Sequence, residues 1–200
     1  MTVAKQGKVI CDMIDHGLVH AVVATGALIA HGLTESIGLT HYRYDPRVAD
    51  ATLFAQGYNR VYDTLEMEAN LNDVEKLVRS TLEDGAPDGV WSSARICREL
   101  GRRLAEMQQG PGVLRSAYER DVPVFIPALT DSELGLDFAT WAMSHALPAR
   151  SASSGPSDPD QVFRAVPNFN PFLDLQQYAR LVGAAGLGVL RLRLAQFVFA

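Results

Sequence analysis

Lysine is scarce in this chain: Lys5, Lys8 and Lys76 are the only three, and every later basic residue is arginine or histidine. With a formal net charge of −5 at pH 7, no basic stripe is available to track a phosphate backbone, which argues against nucleic acid as a partner. Cysteine is equally sparse. Cys11 and Cys97 lie far apart, each in a helix-like run, so neither a disulfide framework nor a zinc site is expected, and buried thiols in a reducing cytoplasm are the simpler reading. No metal-ligand spacing stands out elsewhere, and no metal is expected. Long apolar runs are also missing: the longest, near the C-terminus, is broken by Arg191 and Arg193, which argues against a membrane span. The polar, basic N-terminus has no apolar signal core.

What remains is an ordinary composition, 48% hydrophobic and 20% charged, typical of a globular protein and unlike a disordered chain. Two hundred residues suffice for one domain with its own core. Ile10, Met13 and Ile14 recur at helical spacing, and Gly17 closes that helix. Ala21 to Val23 reads as a short buried strand, with Thr25-Gly26 turning into a helix through Leu28, Ile29 and Leu33. Gly38 to Asp50 reads as a polar, aromatic loop, and Ala51 to Leu82 as helical, with Leu65, Leu71, Val74 and Leu77 facing the core. Ser92 or Ser93 starts a further helix that stops at Gly110-Pro111-Gly112, and Val113 to Glu119 is a short helix. A strand follows at Val124, then a helix through Leu136, Phe138 and Trp141. Ala149 to Asp160 is a Ser/Pro/Gly-rich stretch expected to be a mobile loop. Leu173 to Val182 is helical, and Leu187 to Leu194 reads as a half-buried strand. This alternation implies an α/β fold with a parallel sheet flanked by helices.

The stretch richest in chemistry is Val122 to Asp137. An apolar strand, Val124-Phe125-Ile126, stops at Pro127 and breaks into Thr130-Asp131-Ser132, where a new helical pattern begins. Ligands of open parallel sheets bind outside the carboxyl ends of the strands, which places Asp131, Ser132 and Glu133 where a ligand would sit. Thr-Asp-Ser also makes an ordinary helix N-cap, and that alternative stays open. Asp131, Glu133 and Asp137 together form a carboxylate cluster suited to holding protonated amines by charge-assisted hydrogen bonds. His31, beyond Thr25 on the next helix, is a candidate to face the same crevice. His41 and Tyr42 sit on the loop, either covering a pocket or anchoring it. Asp63, Glu66, Glu68 and Asp73 read as a solvated helix side balanced by Arg60 and Arg79, with amine recognition by one of them as the sharper alternative. His16 and His20 are separated by Gly17 and by a change from helix to strand, so they do not form a metal pair.

Pro123 to Asp131 followed by Leu134-Gly135, and Val22 to Ala27, resemble the two sheet-edge signatures of the deoxyhypusine synthase family. His31-Gly32-Leu33-Thr34-Glu35-Ser36, Tyr58 to Asp63, Ile96-Cys97-Arg98 and Phe169 to Asp174 are similar to the bacterial synthase-like branch. The resemblance runs from about Gly7 to about Gly188 and implies a Rossmann-like fold. It further implies an NAD-dependent transferase that oxidises spermidine and passes its aminobutyl group, through an imine on an enzyme lysine, to an acceptor protein lysine. Relatives use the same chemistry on small amines. By the motif, Thr25, Gly26 and Asp131 are cofactor-binding, while His31, Glu133 and Asp137 are the substrate-binding candidates. A homo-oligomer is implied as well.

This sequence departs from the family pattern in three places. The adjacent glutamates that hold the polyamine fall on Ala30 and His31. The acid after Leu-Gly falls on Leu136, with Asp137 one residue later. The imine-forming lysine has no counterpart, since no lysine follows Lys76, and arginine cannot form an imine. The expectation is therefore an incomplete copy, inactive as this fragment, with no catalytic residue assigned. The alternative is a non-catalytic NAD- or amine-binding domain.

Overall fold

Two short parallel strand pairs and one antiparallel hairpin sheet position the helices. A computed structural model describes residues 2, 5–85, 89–151 and 168–184. The elements in order are α1 (Gly7–Asp15), β1 (Val22–Val23), α2 (Gly26–Ser36), β2 (Tyr42–Arg43), α3 (Asp50–Ala55), β3 (Tyr58–Val61), β4 (Thr64–Met67) and α4 (Glu68–Asp84). There follow β5 (Val90–Trp91), α5 (Ser93–Met107), α6 (Val113–Glu119), β6 (Val124–Phe125), a 3₁₀ turn (Leu129–Asp131), α7 (Glu133–Ser151), β7 (Asn168–Phe169) and α8 (Pro171–Ala184).

β1 pairs in parallel with β6, Val22 opposite Val124 and Val23 opposite Phe125, so the two family-like blocks lie side by side. β5 pairs in parallel with β7 through Val90–Asn168 and Trp91–Phe169. These parallel pairs flanked by helices agree with the expected α/β class. The antiparallel sheet, in order β2-β4-β3, is an addition that the sequence reading did not contain.

Several helix boundaries follow from their end residues. α1 ends in a Schellman-type closure: Gly17 at φ +71° lets the Leu18 N–H reach Met13 O at 2.9 Å. Ser92 caps α5, its Oγ accepting from the Arg95 N–H at 3.3 Å. Asp174, brought in from α8, accepts from the Ser93 and Ala94 N–H groups, each at 2.9 Å. A carboxylate there satisfies two orphan donors and meets the positive end of the helix dipole.

Gly101 lets α5 and α6 touch, since a Cβ there would fall 2.4 Å from Leu114 O. The core gathers Ile14, Ile29, Leu33, Ile96, Leu100 and Leu104 among others. Trp91, Phe138 and Trp141 pack edge to face or tilted, with centroids 5.5–6.1 Å apart, and Arg95 lies over the Trp91 ring at 4.1 Å.

Three boundaries need correction. Ala51 to Leu82 is not one helical run, because Gly57 at φ +77° ends α3 and the chain turns through Tyr62 at φ +59° to form the β3–β4 hairpin. The loop after Gly38 carries a strand, β2, paired with β4. α7 continues to Ser151, so the first three residues of the expected Ala149–Asp160 loop are helical. Residues 152–160 and the Leu187–Leu194 strand, with Arg191 and Arg193, lie outside the described residues. Cys11 and Cys97 are free and buried, as the sequence suggested, and burial, ahead of the Asp174 charge, pushes the Cys97 thiol well above its ordinary range.

Candidate functional site

Helix starts converge at the carboxyl ends of β1 and β6. After Val23, the Ala24 N–H donates to Phe125 O at 2.9 Å, and Thr25 then opens α2 with its hydroxyl accepting from the Leu28 N–H at 3.3 Å. After Phe125, the Ile126 N–H donates to Ser93 Oγ at 2.8 Å, tying this edge to the start of α5. Ser132 caps α7, its Oγ accepting from the Gly135 N–H at 3.3 Å.

The capping alternative therefore falls to Ser132, and exposed Asp131 is left on the 3₁₀ turn at the sheet edge. Gly26 is required by a close approach within the chain, for a Cβ there would fall 2.0 Å from the Ser132 Cβ. The small-residue turn thus serves first to bring α2 against the start of α7. Thr25 remains exposed beside it.

Glu133 and Asp137 sit one turn apart on α7. Burial is the main force that raises both carboxyls. On Glu133 the opposite charge of His31 works against it, while Glu66 and Glu68 add repulsion. Asp137, repelled by Glu133 and Glu75, is pushed up to about 6. Two half-buried carboxyls that repel each other at one strand edge are matched to a cationic ligand.

The same strain predicts a pH effect. Asp137 binds its proton more tightly folded than unfolded, so its contribution is fully present below about pH 4 and lost as pH rises through about 6. Asp137→Asn should raise unfolding stability at pH 8 by about 1 kcal/mol, the linkage value discounted for partial exposure, and leave it nearly unchanged at pH 4. Urea denaturation at the two pH values checks this; an equal gain at both would contradict it.

A second cluster lies between α2 and the hairpin sheet. Glu66, in the middle of β4, is almost wholly buried at 2% exposure. Its Oε1 accepts from Thr34 Oγ1 at 2.6 Å, its Oε2 lies 3.1 Å from His31 Nδ1, and His41 Nε2 stands 3.5 Å from Oε1. Burial drives the Glu66 carboxyl upward, but His31, His41 and Thr34 outweigh it and hold the group well below the usual carboxylate range. The Glu66 carboxylate, ahead of Glu35, raises the His41 imidazole above its ordinary value against burial. His41 Nδ1 lies 3.2 Å from Glu35 Oε1, and Glu35 also pairs with Lys5. His31, His41 and Glu66 offer donor atoms that all lie within 4.8 Å of one another.

The acidic helix side expected around Glu66 is thus corrected. Glu66 is a buried strand residue, Arg60 pairs with Asp50, and Arg79 lies 3.6 Å from Glu83. His41 takes the anchoring role of the two alternatives, buried between two carboxylates. His31, singled out as a crevice candidate, connects the two clusters: it touches Glu66 and acts on Glu133. His16 places Nδ1 on Asp12 O at 2.7 Å, back along its own helix. Two surface cavities among the described residues, one along α5 and α6, the other beside α4, include none of Thr25, Gly26, His31, Asp131, Glu133 and Asp137; of the acidic candidates, Asp73 lines the one beside α4.

Helix starts and an exposed carboxylate lie at the ends of parallel strands, the place where open α/β sheets bind their ligands. The sequence model of the deoxyhypusine synthase family matches residues 1–152, and the chain belongs to that family. It is 32% identical over 141 residues to "Probable deoxyhypusine synthase 1" of Archaeoglobus fulgidus, covering 70% of this chain and 45% of the relative. It is 33% identical over 131 residues to a "Deoxyhypusine synthase-like protein" of Coxiella burnetii, covering 64% of this chain and 37% of that one. The crystal structure of "a putative deoxyhypusine synthase from Entamoeba histolytica" superposes with a TM-score of 0.52 at 11% identity, over 86% of this chain and 46% of that chain. The chain thus spans less than half the length of these relatives. Among the described residues no helix is long and apolar enough to cross a membrane.

Proposed function

We propose that this chain carries the cofactor edge and part of the amine site of a deoxyhypusine synthase-like transferase. The observation that carries the reading is the edge itself: Asp131 released from capping by Ser132, with the half-buried carboxyls of Glu133 and Asp137 raised by burial on the following helix. NAD is the cofactor the family resemblance implies, and Thr25, Gly26 and Asp131 are the residues that would meet it. Bound there, NAD would supply the hydride acceptor for oxidation of an amine. A carboxylate at Asp131 fits a ribose, since its oxygens accept hydrogen bonds from paired hydroxyls. The N–H groups that open α2 suit the negative pyrophosphate.

The amine would be a polyamine, held by Glu133 and Asp137 through its ammonium groups. Ala30 and His31 in place of the family's paired glutamates favour an amine other than spermidine. Transfer through an imine needs a primary amine on the enzyme, and no lysine follows Lys76. The 200-residue chain by itself should therefore bind without completing transfer to an acceptor lysine. Assembly as a homo-oligomer follows from the same resemblance, and free buried thiols suit the reducing cytoplasm.

Calorimetric titration with NAD tests the cofactor part. Asp131→Asn should weaken binding by about 1.5–3 kcal/mol, the range for hydrogen bonds to a charged group. Unchanged affinity in a variant of intact stability would remove Asp131 from the site. Absence of NAD binding by the folded wild-type chain would overturn the cofactor assignment as a whole.

A further inference from the structure

The structure assigns a second site: we propose that His31, His41 and Glu66 bind a divalent transition metal of the zinc class, independently of the NAD reading. Nothing in the sequence spacing suggests it. The three residues come from α2, from the residue before β2, and from β4, and only the packing of the hairpin against α2 unites them.

The chemistry of the donors fits. Two imidazoles and one carboxylate form a ligand set that zinc accepts, leaving a fourth position open. Metal–ligand bonds of about 2.0–2.2 Å in a tetrahedral site place ligand atoms about 3.3–3.6 Å apart. His41 Nε2 and Glu66 Oε1 stand 3.5 Å apart, and His31 Nδ1 and Glu66 Oε2 3.1 Å apart. All three donors lie within 4.8 Å of one another, so modest side-chain movement completes the geometry.

The independent observation is His41. Its side chain is fully buried, and Nε2 has no hydrogen-bond partner while facing the Glu66 carboxylate. Facing Glu66 as an ion-pair partner but making no hydrogen bond, that buried nitrogen is incompletely satisfied, a cost that a bound cation would remove. The outer contacts are those of a metal site as well. His41 Nδ1 is held by Glu35, which Lys5 pairs in turn, and Glu66 Oε1 is held by Thr34. Such carboxylate-to-histidine contacts fix the ring and leave its other nitrogen free to ligate. Metal entry would displace the protons held between the His31 Nδ1 and His41 Nε2 nitrogens and the Glu66 carboxylate, releasing them to solvent with no change of oxidation state. The His31 side chain, 23% exposed, marks the open side from which the ion and its fourth ligand would enter.

The test uses the whole chain, stripped with a chelator and titrated with cobalt(II) as a visible probe, followed by displacement with zinc(II). One equivalent of cobalt with tetrahedral d–d bands, displaced by one equivalent of zinc, is expected. His31→Gln and His41→Gln should abolish those bands. Glu35→Gln, which removes no ligand and lies near the surface, should weaken zinc by about 10–100-fold and keeps the test valid if a histidine variant fails to fold. No stoichiometric binding by the folded wild-type chain would overturn the site. Equal binding by folded histidine variants, or by Glu35→Gln where they do not fold, would overturn it too.

Discussion

Replacing Glu66 with alanine should destabilise the chain by about 3–5 kcal/mol, the cost of removing one partner from a buried ionic cluster. Three groups depend on this carboxylate: the Thr34 hydroxyl at 2.6 Å, His31 at 3.1 Å and His41 at 3.5 Å. Without it, the raised affinity of His41 for its proton loses its main source, and a cavity opens between α2 and β4. Glu66→Gln keeps the shape and an acceptor for Thr34 but not the charge, so it should cost less than alanine. Urea unfolding with a chelator present, read as a shift in midpoint at constant slope, measures both. An alanine variant within about 0.5 kcal/mol of wild type, the range of ordinary surface changes, would show that the cluster does not hold the hairpin to α2.

Asp174→Ala should cost about 3 kcal/mol by a different route. Two buried N–H donors at the start of α5 lose a charged acceptor and are left unsatisfied. Asp174 also joins segments some 80 residues apart in sequence, so the loss should loosen α8 from α5. Asparagine retains one acceptor and should cost roughly half as much. Amide hydrogen exchange at Ser93 and Ala94 reports the event locally. Protection there that survives Asp174→Ala would contradict the capping role.

These two residues illustrate what sequence could and could not reveal. The β1 and β6 edge was legible because apolar strands ending in Thr25-Gly26 and in Pro127 carry their own stop signals. Ser92, Gly17 and the Gly110-Pro111-Gly112 break were legible for the same reason: each supplies a local end to a helix. The hairpin was not. Leu65, Leu71, Val74 and Leu77 share a helical spacing, and β4 buries Thr64, Leu65 and Glu66 in succession, which erases the alternation that marks a strand. Tyr58, Val61, Tyr62 and Thr64 after Gly57 were the available signal, through their strand-favouring side chains. The partnership of Glu66 with His31 and His41 had no local signal. It exists only because two elements meet, and the same holds for the reach of Asp174 to α5. The carboxylates of α7 were legible as a cluster, but their strained ionisation needed the burial that folding supplies.

The measurement that bears most directly on the account is equilibrium dialysis of radiolabelled di- and polyamines against the wild-type chain and the Glu133→Gln/Asp137→Asn double variant. Both carboxyls are raised first by burial and then by neighbouring carboxylates, so an ammonium ion should bind and favour their charged forms. The account predicts saturable binding of at least one such amine that strengthens as pH rises through about 6 and falls about tenfold or more in the double variant. No saturable binding of any amine by the folded chain, or equal binding by the double variant, would contradict it.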